Sequence, residues 1–188
     1  MKLCVYGDSN AMGWDPRLGA DVLDEALRFD SLIAKRAQLE CVNDALEGRC
    51  IPKPAECEGL LRLLESADGP ALLMLGTNDL LLGDTPSRMG RKWQAVLERC
   101  KEHLSGRVVL MTPPPMKDMN KAEKTALCKA YETAAQAYGL TFFDTVHLPM
   151  QLHFDQIHML PEDHSLLAEA LYPVVVRLIQ EEKENAHH

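Results

Sequence analysis

The sequence lacks most of the signals that mark metal-stapled, secreted, membrane and nucleic-acid-binding proteins. Its six cysteines, Cys4, Cys41, Cys50, Cys57, Cys100 and Cys128, include no C-x-x-C pair and no zinc-ligand spacing. Most lie in apolar-periodic stretches, which predicts reduced core thiols. A chain of 188 residues buries roughly 70% of its unfolded surface on folding, so its stability requires no disulfide or metal. Basic residues are scarce. Twenty Lys and Arg face 28 Asp and Glu, a formal charge of −8, which repels nucleic-acid phosphates and anionic lipid and argues against both as partners. No apolar run reaches the roughly 18 residues of a membrane span, and the first one, Leu3 to Tyr6, stops at Gly7, far short of a signal-peptide core. A cytoplasmic location is therefore expected. Residues 1–185 read as a single domain, and 186–188, ending in His187 and His188, as a tail resembling the start of a purification tag.

Repeats, low-complexity tracts and linkers are also missing; short apolar runs alternate instead with segments of 3.6-residue period. The predicted strands are Leu3 to Tyr6, Leu39 to Val42, Ala71 to Leu75, Val108 to Met111 and Thr141 to Phe143, each followed by a loop rich in Gly, Asn, Asp or Pro. Continuous apolar strands imply a sheet covered on both faces. Among the helices, Thr85 is a cap with Pro86 behind it, and Met89, Trp93, Val96, Leu97, Cys100 and Leu104 share a face that lasts until Gly106. Asn120 and Glu123 have capping-box spacing ahead of Leu127, Tyr131, Ala134 and Tyr138, with a stop at Gly139. A last helix starts near Pro161 with Leu167, Leu171, Val174 and Leu178 inward, and Pro173 should kink it. The expected fold class is α/β, a three-layer α/β/α sandwich around a mostly five-stranded parallel sheet, whose function gathers at the carboxyl ends of the strands.

Four groups of candidate residues fall there. The first strand runs into Gly7-Asp8-Ser9, where a Ser beside a helix start can be aligned with backbone N–H groups. After the second strand comes Asn43 to Gly48; with no Cβ, Gly48 lets its N–H approach a substrate closely. The third strand ends in Gly76-Thr77-Asn78-Asp79, which offers an amide donor at the same edge. After the fifth strand, Asp155 and His158 have a three-residue spacing that sets a carboxylate against imidazole Nδ1 and leaves Nε2 to take a proton from Ser9. Each group alone is an ordinary turn composition. Their coincidence at one edge favours function. His103, His147, His153 and His164 are not expected to have a carboxylate at that spacing on a loop at the active edge, and are expected to be structural.

These residues resemble the four blocks of the SGNH, or GDSL, hydrolase family, which has a flavodoxin-like sheet order: Ser9, Gly48, Asn78 and His158 stand at the family's Ser, Gly, Asn and His. Trp14-Asp15-Pro16, Gly48-Arg49, Met74 to Leu80 and Thr112 to Pro115 are similar to its bacterial arylesterase and acyltransferase branch, and the likeness covers the domain from Leu3 to the last helix. Ala45 and Gln156 stand where that branch usually has Gly, and Met12 where an aromatic is common near the acyl pocket. The resemblance implies a serine esterase of short-chain carboxylic esters working through an acyl-enzyme, with acyl transfer to an alcohol as a second outcome. Ser9, Asp155 and His158 would be catalytic; Ser9, Gly48 and Asn78 would bind the oxyanion; Met12, Trp14 and Gln156 would contact substrate. No cofactor or metal is implied, the partner is a small-molecule ester, and a homo-oligomer is implied because relatives of the branch are often multimeric.

A thioesterase or lysophospholipase-type enzyme, or a carbohydrate O-acetyl esterase, would use the same residues. An α/β-hydrolase would need a G-x-S-x-G elbow, and Ala11 holds its last position. A flavodoxin-like binding module would need a phosphate loop between Gly7 and Gly13, where there is an Asp and no basic residue. A metal hydrolase built on His147, His153, His158 and Asp155 lacks the spacing of known zinc sites.

Overall fold

The computed structural model describes residues 1–18 and 21–185. In chain order the elements are β1 (Lys2–Gly7), α1 (Ser9–Met12), β2 (Trp14–Asp15), β3 (Asp21–Val22), α2 (Phe29–Ala37), β4 (Glu40–Ala45), α3 (Glu58–Ser66), β5 (Ala71–Met74), α4 (Thr77–Leu81), α5 (Pro86–Cys100), β6 (Val108–Met111), α6 (Lys121–Ala137), β7 (Thr141–Phe143) and α7 (Pro161–Asn185). Five strands form one sheet in the order β4-β1-β5-β6-β7, every neighbouring pair parallel, while β2 and β3 make a small antiparallel hairpin. Alternation along the strands divides the core in two. Cys4, Tyr6, Leu73 and Leu110 pack against α3, α5 and α6, whereas Leu3, Val5, Leu72 and Val109 pack against α1, α2 and α7. The expected three layers are present, and the chain reverses its winding between β1 and β5. Ligands of open α/β sheets sit at such a switch point.

The five predicted strands are all found, with one changed in extent. The second runs over Glu40–Ala45, past the predicted stop at Val42, because the polar groups of Asn43 find partners: its Nδ2 donates to the Ala11 carbonyl at 2.9 Å and Asp30 Oδ2 at 2.7 Å, and its Oδ1 accepts Ala45 N–H at 3.0 Å. Thr85 caps α5 through Arg88 N–H, and the Asn120–Glu123 capping box is complete. Helix α5 ends at Cys100, and a 3-10 turn over Lys101–His103 carries the chain to Leu104. In α7, which continues through Pro173, Val175 is the fully buried residue where Val174 was expected, giving a stripe of Leu167, Leu171, Val175 and Leu178. Helices α2 and α3 were not located from the sequence. All six cysteines are free, and burial pushes the thiols of Cys41, Cys100 and Cys128 up to about 12, as expected of unreactive thiols. The predicted tail, 186–188, lies outside the described residues.

Candidate active site

Strand register levels the sheet's carboxyl edge: Gly7 pairs with Ala45 on one side and Met74 on the other, and Met74 with Met111. At the end of β1 the chain turns at once into α1. A Cβ on Gly7 would lie 2.2 Å from Ala11 Cβ, so only glycine permits this turn. Asp8 Oδ1 caps α1 by accepting Asn10 N–H at 3.0 Å, and burial pushes the Asp8 carboxyl up to about 6 against the hydrogen bonds it accepts. Ser9 is thereby fixed at the first helical position, 5% exposed.

Its Oγ lies 2.9 Å from His158 Nε2, and His158 Nδ1 lies 2.6 Å from Asp155 Oδ2. The other Asp155 oxygen accepts the N–H of Ile157 at 3.0 Å and of His158 at 3.1 Å. Burial raises the Asp155 pKa, but the bonds to the His158 ring and the two N–H groups outweigh it and hold the carboxyl below its ordinary range. A carboxylate kept ionised there fixes the orientation of the imidazole. The Trp14 ring packs beside it, centroids 4.3 Å apart. Met12, in contrast, packs against the α1–α2–α7 half of the core.

Gly48 occupies an exposed turn after β4 with φ +70°, and a Cβ there would meet nothing within 4 Å. Asn78, at the start of α4, gives one amide hydrogen to the Arg49 carbonyl at 3.1 Å, which leaves its second for another acceptor. Arg49 joins the ends of two strands. Its guanidinium donates to the carbonyls of Gly7 and Asp44, pairs with Asp44 Oδ1 at 3.0 Å and stacks 4.0 Å from the Tyr6 ring centroid.

Several supporting residues went unnoticed in the sequence. Asn10 accepts Met159 N–H on Oδ1 at 3.0 Å, clipping the Ser9 segment to the residue after His158. Asp79, fully buried, accepts Ile51 N–H at 2.9 Å and pairs with Lys92 at 2.5 Å. Asp163 accepts three N–H groups, those of Gln151, Leu152 and Leu160, each at 2.9 Å. Only the last had a sequence signal, an acid in the first turn of a helix.

The remaining histidines are dispersed. His153 is buried 3.6 Å from Asp15, and its backbone N–H donates to the His158 carbonyl at 2.8 Å. Against the expectation from the sequence, His147 does have a carboxylate at the three-residue spacing just after β7: it pairs with Asp144 at 2.8 Å beside Cys128, and its contacts are with these two rather than with Ser9. His164 stacks on Phe29, and burial lowers its pKa to about 4. His103 faces Glu65 at 3.4 Å. The four residues of the metal-hydrolase alternative are therefore not one cluster: His147 and His153 have other carboxylate partners.

The geometry of Ser9, His158 and Asp155 agrees with the match of residues 5–171 to the model of the GDSL-like lipase/acylhydrolase family. The chain belongs to that family. It is an ester-hydrolysing enzyme of the GDSL class. Among solved structures it is similar to a carbohydrate acetylesterase family member from Sinorhizobium meliloti, with TM-score 0.78, 18% identity, and 95% of this chain and 99% of that one covered. The aryl esterase of M. smegmatis gives TM-score 0.78 and 21% identity over 94% and 99% of the two chains. A member of the lipolytic protein G-D-S-L family from Veillonella parvula DSM 2008 gives 0.72 and 16% over 95% and 100%. At these identities the likeness establishes the fold. No curated protein matches the chain in sequence. Among the described residues no helix is long and apolar enough to cross a membrane.

Proposed function

We propose that this GDSL hydrolase is a serine esterase of small-molecule, short-chain carboxylic esters that works through an acyl-enzyme and also passes the acyl group to alcohols. The single observation that carries the reading is the chain of contacts Ser9–His158–Asp155, 2.9 and 2.6 Å long, at the sheet's carboxyl edge.

In this mechanism Ser9 Oγ attacks the ester carbonyl while its proton passes to His158 Nε2, and Asp155 supports the imidazolium. The oxyanion takes hydrogen bonds from the Ser9 and Gly48 N–H groups and the free amide hydrogen of Asn78, each worth roughly 3 kcal/mol in the transition state. Collapse breaks the bond to the alkoxy oxygen, which leaves as alcohol with the proton from His158. Water or a second alcohol then gives a proton to His158 and attacks the acyl-Ser9 carbonyl. The proton returns to Ser9 as the acid or new ester departs.

A small acyl group is favoured because Trp14 crowds His158, with ring centroids 4.3 Å apart. The exposed side chains of Leu46, Leu81, Leu82 and Phe154, on segments after β4, β5 and β7, favour an apolar or aryl alcohol over a sugar. Acetyl esters also fit the likeness to the carbohydrate acetylesterase family member from Sinorhizobium meliloti.

A fluorophosphonate probe is expected to label Ser9, located by mass spectrometry, and Ser9→Ala to abolish labelling. Labelling elsewhere would overturn the nucleophile. Across nitrophenyl acetate, butyrate, octanoate and palmitate, kcat/KM should be highest for acetate or butyrate, and a preference for octanoate or longer would reject the narrow site. Dilute aqueous alcohol should divert part of the acyl group into a new ester; hydrolysis alone would reject the transferase part. Acetylated sugar turned over faster than aryl acetate would favour the carbohydrate reading.

A further inference from the structure

A cavity of about 930 Å³ lies apart from Ser9, Asp155 and His158, none of which lines it. It opens between the segment after β4, helix α3 and helix α5, and shares Arg49, Cys50 and Ile51 with the wall that Asn78 and Asp79 hold. Its charge is opposite to that of the chain. Arg49, Lys53, Arg62, Arg88, Arg91 and Lys92 line it against one acid, Glu56. Four carboxylates pair with these cations: Asp44 with Arg49, Glu56 with Lys53, Asp84 with Arg88 and Lys92, and Asp79 with Lys92. Six cations against four carboxylates leave two positive charges in excess.

The excess has an address. Arg91 donates to Ser87 Oγ at 2.8 Å and meets no carboxylate, and Arg62 has neither hydrogen-bond nor ion-pair partner among the described residues. In a chain whose acids outnumber its bases by 28 to 20, two arginines without acids beside four other cations is a repulsive arrangement that a bound anion relieves. The two come from different helices, α3 and α5, that line the same cavity, and each presents a planar fork of donors suited to phosphate oxygens.

We propose that this cavity is a binding site for a phosphate-class anion, carried either by the alcohol part of the ester or by a free ligand. Phosphate has the matching charge, roughly −1.5 to −2 near neutral pH. Arg62 and Arg91 grip the oxygens, and the more enclosed Arg49 and Lys92 supply the field behind them. The site does not depend on Ser9 chemistry, so its binding test stands whatever the outcome for the nucleophile.

The test is calorimetric titration of the full-length protein with pyrophosphate at low salt. The expected result is binding with Kd of about 1 mM or tighter, weakened about tenfold or more by the double variant Arg62→Ala/Arg91→Ala, and unchanged by Lys121→Ala/Lys124→Ala, which removes equal charge from α6. No binding, or equal binding by both double variants, overturns the site. Kinetics then separate the two sources. If the anion belongs to the substrate, pyrophosphate competes with acetyl glycerol phosphate and the arginine variant raises KM for that ester while nitrophenyl acetate kinetics stay as they were. If it is a free ligand, pyrophosphate changes kcat for nitrophenyl acetate in the parent protein and not in the variant.

Discussion

The proposed nucleophile and its proposed base are held in place by different means. Ser9 follows directly from β1, one of the three strands flanked on both sides by partners, and its position is set by backbone sterics: Gly7 fitted under Ala11, a one-turn helix and an aspartate cap. His158 stands on the segment between β7 and α7, which has no strand or helix of its own. That segment contains two of the three non-glycine residues with left-handed backbone among those described, Leu152 and Gln156. What fixes it is a set of side-chain acceptors, Asp163, Asp155 and Asn10, which take six of its N–H groups. One half of the site is positioned by close packing, the other by polar bonds, and the second half should be the easier to loosen.

The largest effect is expected at Asp163. Asp163→Ala leaves three N–H groups without their acceptor, and at roughly 1 kcal/mol or more each the loss is about 3 kcal/mol or greater. Urea unfolding should show this together with a fall in kcat, since the released segment carries His158. Asp163→Asn keeps two acceptors at most and should lie between. Full stability in Asp163→Ala would mean that packing alone holds the base.

Asp8 tests the packed half. Its carboxyl titrates near 6 in the folded protein against an ordinary 3.8, because burial disfavours the charge. Between those values the native state holds the extra proton, so stability falls as pH rises from about 4 to 6, by up to about 3 kcal/mol. Asp8→Asn retains a capping oxygen and cannot ionise. Its stability relative to the parent should therefore improve by that amount from pH 4 to pH 7. His164, with its pKa lowered to about 4 by burial, works in the opposite sense over a similar window, which is why the difference between the two proteins is the quantity to measure. A difference constant with pH would remove the buried charge from Asp8.

Asn78 bridges the halves of the proposed oxyanion pocket through Arg49. Asn78→Ala should lower kcat about a hundredfold with little change in KM, as for loss of a donor used in the transition state. A fall in stability of about 1 kcal/mol should accompany it, from the bond to the Arg49 carbonyl. Normal kcat would assign Asn78 to folding alone.

Legibility in the sequence followed the same division. Strand ends and motif blocks were readable because apolar runs and turn residues are local signals, and Ser9, Asn78, Asp155 and His158 were singled out through them. Helix α2 escaped: it begins at Phe29 without a side-chain cap, so no Ser, Thr, Asp or Asn marks its start. Helix α3 starts at Glu58 after Cys57, which provides no side-chain cap either, despite a strongly apolar face of Leu60, Leu61, Leu63 and Leu64. Asn10, Asp79 and the full role of Asp163 were invisible because their partners lie far along the chain or across a loop; Asn10 meets Met159, 149 residues away. The basic cavity was hidden for a related reason, since a net charge of −8 says nothing of where the cations gather.

The smallest effect is expected at Gln156, where the branch the sequence resembles usually has glycine. Its φ of 62° costs a side-chain-bearing residue about 1–2 kcal/mol. The side chain recovers part of this by donating Nε2 to the His153 carbonyl at 3.0 Å. Gln156→Gly removes the strain and that bond together, and glycine's greater unfolded-state freedom takes back roughly 0.5–1 kcal/mol, so net stability should move by less than about 1 kcal/mol in either direction. Gln156→Val has no such offset. A β-branched residue at positive φ should lose about 2 kcal/mol and blur the pairing of His158 with Asp155. The substrate-contact role is decided by kinetics on the glycine variant. Changes of kcat/KM that are equal across acetate, butyrate and octanoate esters mean that Gln156 only shapes the segment carrying the base. A selective gain for octanoate means that its side chain walls the acyl site.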